Sequence, residues 1–303
     1  MKNKLFPLLA LLFLLLLTSC EQDGDFLYEK TDTGSLRITG TNLTDPELVI
    51  PSEIGGKKVT EIGAHAFDAK SFLTSVTIPS SVEKIGDYAF RLCGSLSTVT
   101  LPENLTEIDD GVFSNCFGLK EVVFPSGLKS VGKDVFTSSA LTEVTLPEGV
   151  ESVGDYCFYL CEALEKVTLP STLVTLGDYV FCGCSSLKEI GLPEGITRIG
   201  KYTLSQCDSL TDLSLPNSLR SVEEYAFAGS GFTKLVFPEG FTSLGYSCFC
   251  ACKNLTDLYF PDSLTDFSSE ALAETKGVVI HATADSPAEI WADENGYRFS
   301  KTN

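Results

Sequence analysis

The sequence predicts an α/β repeat solenoid of about ten 22–23-residue coils, with a parallel β ladder on the concave face and short helical turns on the convex face. Three observations predict it. Pro51, Pro79, Pro102, Pro125, Pro147, Pro170, Pro193, Pro216, Pro238 and Pro261 are separated by 28, 23, 23, 22, 23, 23, 23, 22 and 23 residues, a series chance does not produce. Between the prolines the same apolar positions recur. The unit from Pro102 has Leu105, Ile108, Phe113, Cys116, Leu119, Val122 and Phe124, and the unit from Pro170 has Leu173, Leu176, Phe181, Cys184, Leu187, Ile190 and Leu192. Each unit ends in a V-x-L or I-x-L segment whose alternation sends every second side chain the same way, as in a strand. One such coil cannot bury its apolar side alone, whereas stacked coils fuse their apolar columns into one core.

The elements follow in chain order. Lys2 and Lys4 precede an apolar run from Leu5 to Leu17, shorter than the roughly 20 residues a membrane span needs. Residues 1–19 therefore read as a signal peptide. The sequence Leu17-Thr18-Ser19-Cys20 resembles a bacterial lipobox, which implies cleavage before Cys20 and its acylation; an ordinary signal peptide that happens to contain a Cys is the alternative. Glu21, Asp23 and Asp25 resemble the acidic surface-export signal of Bacteroidetes lipoproteins, which implies the outer membrane, facing outward. Residues 20–25 are expected to be a lipidated Cys and tether, 26–50 an N-terminal cap, 51–280 the solenoid and 281–303 a C-terminal cap. In the last, Ser286 as N-cap and Pro287 at the first position open a short helix through about Glu294.

The 22–23-residue period with this Leu spacing resembles the leucine-rich repeats of the BspA-like, Treponema-type family, over about residues 36–300. The resemblance implies a leucine-rich repeat fold and adhesion to host matrix proteins or other bacteria.

Six of the eleven cysteines, Cys93, Cys116, Cys161, Cys184, Cys207 and Cys252, hold one repeat position, three residues after a Phe or its equivalent. They are expected to be buried thiols donating weakly to backbone carbonyls, with inter-coil disulfides as the alternative. The two 22-residue units lack this Cys and are one residue shorter near that turn, which ties the Cys to the geometry of the turn. Cys157 and Cys248 take the inward Ala position of the A-F pair. The cysteine spacings do not fit a zinc knuckle, so no metal and no cofactor is expected.

Composition narrows the function. A formal net charge of −19 opposes nucleic-acid binding, which needs basic side chains to displace counterions. No P-loop, dinucleotide fingerprint, zinc-protease or nucleophile-elbow motif occurs, so no enzyme is expected. Of the two histidines, His65 reads as a surface turn residue and His281 as part of the C-terminal cap.

Two surfaces remain as candidates. The outward strand positions form a face whose candidate binding residues are Thr98, Thr100, Glu121, Val123, Glu143, Thr145, Lys166, Thr168, Glu189, Lys234, Val236 and Tyr259, with Asp212 and Ser214 between Glu189 and Lys234. Solenoids commonly bind through such a face, although Thr and Val also suit exposed strands for their β propensity alone. Tyr156, Tyr179, Tyr202 and Tyr225 hold one position in four consecutive coils, a row suited either to stacking on a partner or to packing the turn. The expected partner is a host matrix or bacterial surface protein, or alternatively a glycan captured for polysaccharide uptake, with membrane contact through the lipid anchor only.

Overall fold

A computed structural model describes residues 21–302. The expected signal peptide and Cys20 lie outside the described residues. The chain winds into a parallel β solenoid of about 12 turns of some 23 residues. The number exceeds ten because coils at both ends fall outside the proline series: Glu47–Val49 already pairs in parallel with Ser75–Thr77, and Val279–Ala282 and Arg298–Lys301 extend the stack beyond Asp257–Tyr259. The first of these strands lies within the 26–50 stretch expected to be cap.

The coils stack through three inter-coil ladders. A ladder of three-residue strands contains Thr98–Thr100, Glu121–Val123 and their equivalents. A ladder of two-residue strands contains Ser130–Val131, Ser152–Val153 and their equivalents. The third ladder joins the segment Asp87-Tyr88-Ala89-Phe90 and its equivalents, and here the expected helical turns are corrected. These segments are hydrogen-bonded turns, and Pro287–Asn295 is the α-helix found among the described residues. Successive amides alternate in direction. Tyr88, Phe90 and Leu92 donate to Asp110, Val112 and Ser114 of the next coil, while Ala89, Arg91 and Cys93 donate back to Gly86, Tyr88 and Phe90. A helix would send every amide along its own axis and leave nothing for the neighbour. The alternation requires left-handed residues: Tyr88 has φ 56° and Leu92 φ 60°, and the same two positions are left-handed down the stack. Non-glycine residues adopt this conformation at a cost of about 1–2 kcal/mol each, offset here by an inter-coil hydrogen bond at each turn.

The core is columnar. Phe67, Phe90, Phe113, Phe136, Phe158 and Phe181 are fully buried and stack with centroids 5.0–5.9 Å apart. Leu204 takes the same place one coil later, before Phe227 and Phe249. The repeat cysteines donate S–H to the carbonyl of that column one coil back, from Cys116 to Phe90 at 3.1 Å and from Cys184 to Phe158 at 3.2 Å. Ser139 and Ser230 fill the Cys position in the 22-residue coils, and Ser230 donates to Leu204 O. All ten cysteines from Cys93 to Cys252 are free thiols.

The ends close differently. The expected tether is corrected in part: Glu21–Asp23 pairs antiparallel with Phe26–Lys30, which pairs antiparallel with Leu36–Thr41, and this last strand runs parallel to Lys57–Ile62. The first unit, 28 residues from Pro51 to Pro79 where the others have 22–23, carries its extra residues in a hairpin, Glu53–Ile54 against Lys57–Ile62. Its turn residues Gly55 and Gly56 have φ 57° and 76°, which glycine adopts without strain. At the other end Ser286 caps the helix, Gly296 ends it in the left-handed region, and Trp291 stacks on Phe267 at 5.1 Å.

Candidate binding face

The three-residue ladder presents two outward rows. The first runs Glu47, Ser75, Thr98, Glu121, Glu143, Lys166, Glu189, Lys234 and Asp257; the second runs Val49, Thr77, Thr100, Val123, Thr145, Thr168, Gly191, Val236, Tyr259 and His281. Both follow from strand alternation, which buries Val99, Val144, Val167 and Ile190 between them. The first row is charged and mostly acidic, whereas the second has no acidic or basic residue before His281. Val123 and Val236 are about half exposed, at 49% and 55%.

The sequence-predicted face residues are thus brought onto one side, but not in one unbroken sheet. The ladder is divided into strands 47–123, 143–191 and 234–301. The expected strand at Asp212 and Ser214 is corrected: residues 211–215 form no strand. The first interruption and the gap before Lys234 fall at the 22-residue coils, whereas the unpaired step from Glu189–Gly191 to residues 211–215 has the regular 23-residue spacing. In a 23-residue coil Cys116-Phe117-Gly118-Leu119-Lys120 leads into Glu121, whereas Ser139-Ala140-Leu141-Thr142 leads into Glu143 with one residue fewer. Regular neighbours join through Lys120 N–H to Ser97 O and Leu101 N–H to Val123 O. Across the first interruption the equivalent bonds, Thr142 to Lys120 and Phe124 to Thr145, are not made. The two-residue ladder and the turn ladder continue past both short coils, so only the outer face opens.

Each opening is a cleft. The first, of about 710 Å³, is lined by Lys120, Glu121, Val122, Phe124, Glu143 and Thr145 among others. The second, of about 420 Å³, lies between Asp212–Leu215 and Lys234–Phe237. At their floors Val122 and Phe124, and Leu213 and Leu215, are only partly buried. Sequence reasoning missed these clefts, although the signal was present in the two 22-residue spacings, which were tied to the turn and not to the strand that follows it.

At the C-terminal end, Lys234 Nζ sits 4.4 Å from the Tyr259 ring centroid, and the Tyr259 and His281 rings lie parallel at 4.1 Å. His281 Nε2 is 2.6 Å from Asp257 Oδ1, a hydrogen bond that holds the carboxyl below its ordinary range. His281 is therefore a ladder residue, not part of a separate cap. His65 is a turn residue of the left-handed column, stacked on Tyr88 and beside Asp68.

The tyrosine row lies on the turn ladder. Tyr156, Tyr179, Tyr202 and Tyr225 stack face to face at 4.6, 4.6 and 4.8 Å. Every one of them is left-handed. The row stops upstream because Gly111 and Asp134 hold its place. Tyr88 folds over Gly111, where an added Cβ would overlap the Tyr88 ring. With their faces against one another, the four rings offer chiefly edges to a ligand. Burial pushes the phenols of Tyr156, Tyr179 and Tyr202 up, and neighbouring groups, chiefly acidic residues and other phenols or thiols, add to it.

The family model for the BspA type leucine rich repeat region matches residues 60–188 and 151–279, in six copies. The chain belongs to this family. A leucine-rich repeat protein from Bacteroides ovatus is 31% identical, covering 86% of this chain and 70% of its own, with a TM-score of 0.79. The Treponema pallidum leucine-rich repeat protein is similar at 25% identity and a TM-score of 0.50, over 78% of this chain and 90% of its own. The pneumococcal vaccine antigen PcpA shares the fold at 19% identity and a TM-score of 0.52, over 94% and 99%. No curated protein sequence matches the chain. Among the described residues of this BspA-type chain no helix is long and apolar enough to cross a membrane.

Proposed function

We propose that this BspA-type chain is a non-catalytic surface lipoprotein, anchored through Cys20, whose ladder face binds another macromolecule, in the first place a protein on a host or bacterial surface. The observation that carries the reading is the two-row face itself, an acidic row beside an uncharged hydroxyl and valine row, opened at two places so that strand edges and core side chains become accessible. Binding without catalysis is supported by what the reactive groups are doing. Both histidines pair with aspartates and stack on tyrosines. Nine of the ten described thiols are buried, and burial pushes them away from the thiolate. A protein partner is favoured over a glycan because the tyrosine faces that would stack on sugar rings are spent on one another.

The experiment is binding of the full chain to immobilised matrix proteins, bacterial cells and a glycan array at low and high salt. A protein partner whose binding weakens with salt, and with Glu121→Lys, Glu143→Lys and Glu189→Lys, supports the reading, since a face of this charge attracts a basic partner over a Debye length of about 8 Å at physiological ionic strength. Selective glycan binding, or protein binding unmoved by these changes and lost on altering the tyrosine row, contradicts it.

A further inference from the structure

The first cleft combines several features. Lys120–Phe124 and Thr142–Thr145 face each other without ladder bonds, each being paired only on its far side. Val122, like Leu213 at the second cleft, is partly exposed where the central residues of the other three-residue strands are buried, and Phe124 beside it rests edge-on against Phe136 at 5.9 Å. Glu189 is held by Lys166 at 2.9 Å, whereas among the described residues neither Glu121 nor Glu143 has an ion-pair partner within 4 Å. The volume, about 710 Å³, lies in the range of roughly 300–1,000 Å³ typical of ligand sites.

We infer that this cleft is a peptide-recognition site that takes an extended segment of a basic partner polypeptide. The segment lies along the mouth of the slot, where the main-chain N–H and C=O groups left unbonded at its two rims hydrogen-bond to it. A large apolar side chain of the segment descends onto Val122 and Phe124. In an extended segment the residues on either side of it point the opposite way, so basic side chains there rise toward Glu121 and Glu143. The site is built by a deletion: one residue removed from the coil 125–146 draws the following strand out of register with its neighbour and leaves the slot. The inference deepens the proposed ladder-face function and rests on it, naming the kind of segment that one place on that face recognises.

The test uses the full chain and fluorescein-labelled heptapeptides of the form Gly-Ser-Lys-X-Lys-Ser-Gly, with X each of the large apolar residues in turn, read by fluorescence anisotropy. At least one peptide should bind saturably, and lose about tenfold or more in affinity when X becomes Ser, when both lysines become glutamates, or when the amides flanking X are N-methylated. Two variants locate the site. Insertion of one glycine between Ala140 and Leu141 restores the 23-residue spacing, closes the ladder and should abolish binding, while the same insertion between Gly231 and Phe232 should leave it intact. Should the first insertion fail to fold, Glu121→Gln with Glu143→Gln serves instead and should weaken binding about tenfold. Absence of binding by every peptide, or equal binding to the closed-ladder variant or to the double glutamine variant, overturns the inference. A macromolecular partner still held by the ladder face of the closed-ladder variant would overturn this inference while leaving the proposed function standing.

Discussion

Replacing Phe113 tests how far the aromatic column holds the coils together. Its side chain is fully buried, with ring centroids 5.6 Å from Phe90 and 5.9 Å from Phe136 and interplanar angles of 9° and 6°. Phe113→Ala leaves a cavity between coils whose backbones are held by the turn ladder and by one strand ladder on each side, which limits collapse, and the cost should lie within the usual range of about 3–5 kcal/mol. Phe113→Leu keeps most of the buried area and loses the two ring contacts. Leu204 already fills this column between Phe181 and Phe227 with no exposure, so that change should cost about 1–2 kcal/mol, the scale of one or two aromatic pairs. Urea unfolding followed by far-UV ellipticity measures both. The only tryptophan, Trp291, lies at the far end of the stack. Since solenoid stability is a sum of coil and nearest-neighbour terms, its fluorescence should move less than the ellipticity does. Alanine and leucine variants that both fall within about 0.5 kcal/mol of the parent, the scatter expected of a surface change, would refute the column as a stabilising element.

The buried thiols should be silent to a thiol reagent at neutral pH in the folded chain, because burial pushes Cys93 and Cys252 up to about 12 and Cys161 to about 11; Cys250, which is only half-buried, should react first, and the others on adding denaturant. Fast labelling of Cys116 or Cys184 in native buffer would contradict the packed column. Asp134 holds a left-handed turn position, and burial, then the charges of Asp110 and Asp155, push its carboxyl up despite a hydrogen bond from Thr137. An ionised Asp134 therefore costs stability at neutral pH, and the cost fades as the pH falls through its raised folded value toward the unfolded value near 3.9. Asp134→Asn, which also suits the left-handed region, should raise the melting temperature at pH 7 and leave it unchanged near pH 3. Asp68 behaves in the opposite way. Arg91 and then His65 hold it low by hydrogen bonding, so its stabilisation is present above about pH 3.9 and is lost as the pH falls through the depressed folded value. Arg91→Ala should cost up to about 1 kcal/mol at neutral pH, as for a partly exposed ion pair, with a smaller difference in acid.

The repeat was legible because it is written many times. Ten prolines at near-constant spacing and apolar positions such as Leu105, Ile108 and Phe113 carry the parallel stack, and the Cys116 position showed its inward thiol from its place after the Phe. The turn conformation was less legible. Residues such as Asp87-Tyr88-Ala89-Phe90 are compatible with a helix, and only the demand that Tyr88 and Phe90 bond to the next coil forces Tyr88 to be left-handed. The clefts were the least legible. One missing residue near Ser139 leaves the apolar pattern intact, and its effect appears in a strand four residues later, through a register mismatch with a neighbouring coil 22 residues away. The N-terminal pairing of Glu21–Asp23 was hidden for a similar reason: an acidic stretch reads as solvated until a partner strand is placed beside it.

The most direct measurement of the central claim is amide hydrogen exchange of the full chain, alone and with a saturating bound partner or peptide. The account predicts slowed exchange at residues 120–124 and 142–146, where strand edges are without ladder bonds, and little change along the row from Tyr156 to Tyr225. Protection confined to that tyrosine row, with the edges at 120–124 and 142–146 exchanging as before, would contradict it.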